Sequence, residues 1–204
     1  MNDDARDNEN DHEAGLRSAV IFEGILGAGA VLFGWLIGFY PLDYIKIDDS
    51  LVSDLLFAAA VTVPMAVLFV VFSQFAPGPF RTIRERMREI ILPLFHRLSI
   101  FDLLLVSLLA GVGEELLFRG LIQPAAAYWT GPIGGLLVAS VLFGLAHLIT
   151  PTYAIMAGLM GLAIGWCMNY TDNLLTAIAI HALYDFIALV YFLKIQHRNW
   201  RPQG

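Results

Sequence analysis

The stretch LLLVSLLAGVGEELLFRGLIQP, residues 103–124, decides how this chain folds. It is apolar for most of its length, yet Glu114, Glu115 and Arg119 sit near its centre. The rest of the chain says what surrounds it. Hydrophobic residues make up 58% of the 204 residues and charged residues 15%, and the mean hydropathy is +0.69. Soluble domains carry about 25% charged residues. With so few, this chain cannot cover a water-facing surface, and the expected fold class is an all-α, polytopic membrane helical bundle. A nucleic-acid partner is excluded, because the net charge is −6 and no basic stripe exists. Cys167 stands alone in an apolar run, which excludes a disulfide framework and a Cys-based zinc site. The first sixteen residues are polar and acidic, unlike a cleavable signal peptide.

Working outward, six apolar stretches lie at roughly 18–40, 51–75, 99–128, 133–149, 153–170 and 173–194. A spanning helix needs about 20 residues, so the fourth and fifth are short and the third is long. The domain plan that follows has a disordered acidic tail over 1–15, two transmembrane helices over 16–76, a basic amphipathic loop over 77–98, a membrane core over 99–195 and a C-terminal tail over 196–204. The tail at 1–15 holds six acids and three Asn, too polar to order itself. In the loop, basic and apolar positions interleave, as in a helix lying on a membrane surface. Six spans put both termini on one side. That side holds Arg6, Arg17, Arg81, Arg84, Arg86, Arg88, Arg97, Lys194, Arg198 and Arg201, and the other holds only Lys46. The bias places both termini in the cytoplasm. Pro64 is expected to kink the second span, and Pro124 to bend or end the third. Gly34-x-x-x-Gly38 and Gly161-x-x-x-Gly165 read as internal helix packing, not as dimer signals; the oligomeric state is not legible.

Ionisable groups inside apolar spans are the candidates for function, since each costs at least about 2.5–3.5 kcal/mol at mid-membrane. The third span brings Glu114, Glu115 and Arg119, the fourth His147, and the sixth His181 and Asp185. Glu115 and Arg119 are four apart, the favoured order for an ion pair. Glu114 points about 100° away from Glu115, so Arg119 neutralises one acid and leaves the other for chemistry. Phe143 lies one turn before His147, where its ring can pack on the imidazole and keep out water. His181 and Asp185 also share a face, and the carboxylate there can fix the imidazole's tautomer. Glu23, Asp54 and Asp102 lie near span ends and read as interfacial. Counting along the helices, Glu114 and His147 both come out about 20 Å deep and His181 about 12 Å.

A carboxylate beside an imidazole in a dry cavity can activate water for attack on a carbonyl, the acid taking the proton. A second histidine can donate to the developing oxyanion. Alternatively, Glu114, His147 and His181 could bind Zn with an open position for water. The residues do not separate the two routes. Other intramembrane protease designs are missing, because the chain has no HExxH, no Gly-x-Ser-Gly and no Gly-x-Gly-Asp.

Glu114-Glu115-x-x-x-Arg119, Phe143-x-x-x-His147 and His181-x-x-x-Asp185, in this order, resemble the three-motif signature of the CPBP family. That family comprises type II CAAX prenyl proteases and bacteriocin-processing enzymes, and is also called the Abi family. The resemblance covers about residues 99–190. It implies an intramembrane endopeptidase acting on a membrane-anchored protein or peptide in the lipid bilayer. By position, Glu114 resembles the water-activating acid with His147 assisting, Glu115 and Arg119 supporting residues, and His181 and Asp185 oxyanion stabilisers. The eukaryotic CAAX enzymes carry Asn where this chain has Asp185. An ionised carboxylate would repel an oxyanion, so Asp185 must be protonated, orient His181 or bind a metal. Six spans and an acidic tail resemble a prokaryotic plasma-membrane member, for which a prenylated substrate does not follow. Two rivals use the same cavity: a non-enzymatic bacteriocin-immunity or peptide-binding protein, and an ion-coupled transporter.

Overall fold

The computed structural model describes residues 3–75 and 78–196, all of them in helices and short connections. In order these are α1 (Asp3–Ile37), a 3-10 turn (Pro41–Tyr44), α2 (Leu51–Phe75), α3 (Pro79–Phe95), α4 (Ile100–Glu115), a π-helical segment (Leu116–Ile122), α5 (Gln123–Ala146), α6 (Pro151–Thr171), α7 (Leu174–Val190) and a second π-helical segment (Tyr191–Gln196). Four of the helical stretches are long and apolar enough to cross a membrane: Glu13–Ile37, Leu51–Gln74, Pro151–Thr171 and Leu174–Ile195. The other two expected spans are present as interrupted rods. Residues 100–130 run through α4, the π segment and the start of α5. There the chain breaks at Gly131, whose φ of 76° and ψ of 169° are non-helical.

Polar contacts fix how the rods alternate. At one end, called upper, Lys46 pairs with Asp172, and Asn173 exchanges hydrogen bonds with the Lys46 backbone, N–H to Oδ1 at 3.1 Å and Nδ2 to the carbonyl at 3.0 Å. Tyr128, just before the Gly131 break, meets Phe39 of the same end with ring centroids 6.2 Å apart. At the lower end Lys194 donates to the Leu98 carbonyl at 2.7 Å and Gln74 to the Tyr191 hydroxyl at 2.6 Å. The six rods therefore run up and down in turn.

Helix ends follow their sequences. Ser99 and Asp102 form a capping box at the start of α4, and Thr150 caps α6 ahead of Pro151. Pro124 acts differently from the expected kink. Its ring would strike the carbonyl four residues back, and the wider π turn immediately before it relieves that clash. The real break is at Gly131–Pro132. From there the second half of α5, residues 132–146, is only about 22 Å long. That is short of an approximately 30 Å hydrocarbon core, so His147 at its end stops inside the depth of the bundle.

Two expectations are corrected at the lower end. The tail assigned to 1–15 as disordered is continuous with α1 from Asp3. No Pro or β-branched residue interrupts it. The loop at 77–98 does form a helix, α3, but part of its apolar face packs on protein instead of lipid: Met87, Ile91, Leu92 and Phe95 cover Leu98, Leu103 and Phe192. Gly15 permits this, since a Cβ there would lie 2.1 Å from the Leu94 carbonyl of α3. The C-terminal tail at 197–204 lies outside the described residues.

Outward faces of the bundle carry Phe22, Ile25, Leu32, Leu56, Val63 and Leu159 in the open, as a lipid-facing surface requires. The Gly161-x-x-x-Gly165 stripe packs inside the protein, on Arg119, Phe143 and Gln123.

Candidate active site

The site is built where α4 ends, α5 ends and α7 passes between them. Glu115 closes α4 and Arg119 lies one turn on, inside the π segment; both are fully buried. Arg119 grips Glu115 with two nitrogens, Nη1 to Oε1 at 3.2 Å and Nε to Oε2 at 3.1 Å. Its remaining arm, Nη2, donates to the Gly161 carbonyl of α6 at 2.9 Å. Only glycine allows this, because a Cβ at 161 would stand 2.9 Å from that same Nη2. The guanidinium also lies over the Phe143 ring, 4.4 Å from its centroid. Glu115 is thus the structural acid.

His181 joins the same cluster. Its Nδ1 donates to Glu115 Oε1 at 2.6 Å, and its Nε2 lies 3.4 Å from Asp185 Oδ2. With an acceptor facing each nitrogen, one proton must lie between Nε2 and Asp185. Asp185 therefore orients His181. The shallow depth expected for His181 is overturned by this contact. That count began at Asn173 as a membrane boundary, whereas Asn173 is wholly buried among Lys46, Asp54 and Leu175, so α7 starts further inside.

Glu114 faces the other way. Its Oε2 is buried without a hydrogen-bond partner and lies 3.6 Å from His147 Nε2. The distance is too long for a hydrogen bond. His147 is the C-cap of α5, and its Nδ1 approaches the Phe143 carbonyl at 2.9 Å. A carbonyl can only accept, so Nδ1 carries a proton there, and the ring turns Nε2 toward Glu114. Phe143, itself fully buried, stacks on His147 at 4.5 Å and 25° and meets His181 edge-on at 5.8 Å. One aromatic ring thus supports both imidazoles and the guanidinium.

All six residues singled out from the sequence, Glu114, Glu115, Arg119, His147, His181 and Asp185, meet here. Both nitrogens of His181 face carboxylates, and among the described residues no three His, Cys, Asp or Glu side chains are placed to hold one ion.

One residue was misread. Glu23, expected at a span end, has its Oε2 buried without a partner against Gly113, the residue before Glu114. α1 begins well before residue 18, so Glu23 does not stand at its start; the intramembrane-acid rule would have found it. Of the other two acids read as interfacial, Asp102 belongs to the Ser99 capping box. Asp54 is buried at the upper end and accepts from Asn173 at 2.9 Å.

The arrangement is an all-helical membrane bundle with buried glutamates and histidines brought together at one place. The family model described as type II CAAX prenyl endopeptidase Rce1-like matches residues 96–187, a little under half of the chain, which is similar to that family over those residues. The matched segment contains the whole cluster. No curated protein and no solved structure matches the chain. The family is one of CAAX endopeptidases, so the chain is a membrane-embedded protease, acting on membrane-associated peptides.

Proposed function

We propose that the chain hydrolyses a peptide bond of a membrane-associated substrate with a water activated by Glu114 and His147. One observation carries the reading: Glu114 keeps a buried oxygen without a hydrogen-bond partner, 3.6 Å from the imidazole of His147, while its neighbour Glu115 is held by Arg119 and His181. A water taken up beside Glu114 and His147 gives its proton to the Glu114 carboxylate as its oxygen attacks the carbonyl carbon. The carbonyl oxygen takes the negative charge and meets the proton held between His181 and Asp185. The carbon–nitrogen bond then breaks, and Glu114 returns its proton to the leaving amine. Asp185 serves through His181, which resolves the repulsion an ionised carboxylate would exert on the oxyanion.

No step in this route passes through a metal. The alternation of the rods and the ten-to-one excess of basic residues support termini in the cytoplasm, and the six-rod plan supports a prokaryotic plasma membrane.

The test is to incubate the purified chain, exhaustively treated with chelator, with membrane-tethered peptides in heavy-oxygen water. Cleavage with one solvent oxygen in the new carboxylate is expected. Loss of cleavage on chelation, restored by zinc, would overturn the metal-free route. No cleavage before chelation would favour the immunity reading.

A further inference from the structure

Beside the site, a groove of about 680 Å³ runs between α1 and α4, from Glu23 to the 3-10 turn at Pro41–Asp43. Its floor is small and apolar, with Gly24, Gly27 and Ala28 on α1 and Gly113 on α4. From Glu23 to Trp35 its length along α1 is about 18 Å. The charged residues lining it are two acids, Glu23 at the inner end and Asp43 at the outer; no Lys or Arg lines it.

The inner acid is held there by close packing. A Cβ on Gly113 would fall 2.7 Å from the Glu23 carbonyl and 3.0 Å from its Oε2. The bare glycine lets α1 lay this carboxylate one residue from Glu114. Glu23 Oε2 is buried and makes no hydrogen bond in the protein. The cation of the site cannot serve it, because Arg119 is committed to Glu115 and Gly161. An acid in an apolar groove calls for a partner, and the charge that is missing is positive.

We propose that this groove seats an apolar run of the substrate and that Glu23 pairs with a basic side chain of that substrate beside the bond to be cut. The inference rests on the proteolytic reading and adds to it a specificity: apolar segments carrying one Lys or Arg. A segment presenting an acid there meets Glu23 and Glu114 together and is rejected.

The probe is a set of membrane-tethered leucine–alanine peptides in which one Lys is moved along the run, with a matched set carrying Met instead. Binding is measured on full-length Glu114→Gln protein in phosphatidylcholine nanodiscs, and cleavage on the unaltered chain. At one register the Lys peptide should bind and be cut about tenfold or more better than its Met twin. Glu23→Gln should bring that ratio near one, and Glu23→Lys should invert it toward a Glu-bearing peptide. Gly24 has open space around it, so Gly24→Leu fills the groove and should weaken both peptides together. An unchanged Lys-to-Met ratio in folded Glu23→Gln overturns the proposal. So does a groove that phosphatidylethanolamine blocks equally for both peptides, which would make it a lipid site. A Lys preference in binding that needs Glu23, without any cleavage, would uphold the pairing and sink the proteolytic reading instead.

Discussion

Glu114 and Glu115 are adjacent in the chain, and the helix turns them into two different environments. Glu115 meets Arg119 through two nitrogens and His181 through a third, all in complete burial. Glu114 has a buried oxygen with no partner and an imidazole nitrogen 3.6 Å away. The paired half is structure: Arg119 and His181 hold Glu115, and the cluster ties α4, α6 and α7 together. The bare half is chemistry, because a carboxylate held by a guanidinium and an imidazole is committed to the protein, whereas Glu114 is open to a substrate's water. The difference teaches that a reactive group in a membrane can be kept open by giving its neighbour all the partners.

Variants should separate the two halves. The largest effect belongs to Arg119→Met, which leaves Glu115 buried without its arginine and with His181 as its remaining partner. It should cost about 3–5 kcal/mol, seen as a collapse of thermal stability in detergent; a stable Arg119→Met protein would break the assignment of this half to structure. Next, His147→Gln should slow cleavage about a hundredfold with the melting temperature unchanged, and an equal loss of stability would blur the distinction. Asn173→Ala acts at the upper end, away from both halves. It leaves Asp54 with Ser50 alone and strands the Lys46 backbone N–H and carbonyl, at about 1–3 kcal/mol for each group left unpaired, with turnover of the surviving folded protein intact. Gly161→Ala is the finest probe. Its methyl group pushes on the Arg119 guanidinium, costing about 1–3 kcal/mol by overpacking, and thermal melts together with rates report whether a shift in the paired half reaches the bare one.

Much of this contrast is legible in the sequence. Helical spacing alone assigns Arg119 to Glu115 and turns Glu114 away, and it puts Phe143 on His147. Charges in an apolar context mark the site because lipid offers them nothing else. What escaped reading depends on long-range packing. The π segment at Leu116–Ile122 has no local signature beyond Pro124 following it. The depth of His181 hinges on Asn173 being buried by Lys46 and Asp54, residues more than a hundred positions away. Glu23 was judged by its distance from an assumed helix start, and the helix begins earlier.

The account rests on Glu114 being the acid that activates water, and the most direct measurement is the turnover of Glu114→Gln in lipid nanodiscs on a membrane-tethered peptide, alongside the unaltered chain. A protein that folds and melts normally but cleaves at least about a hundredfold more slowly is the predicted result. Undiminished turnover by the same folded variant would contradict it.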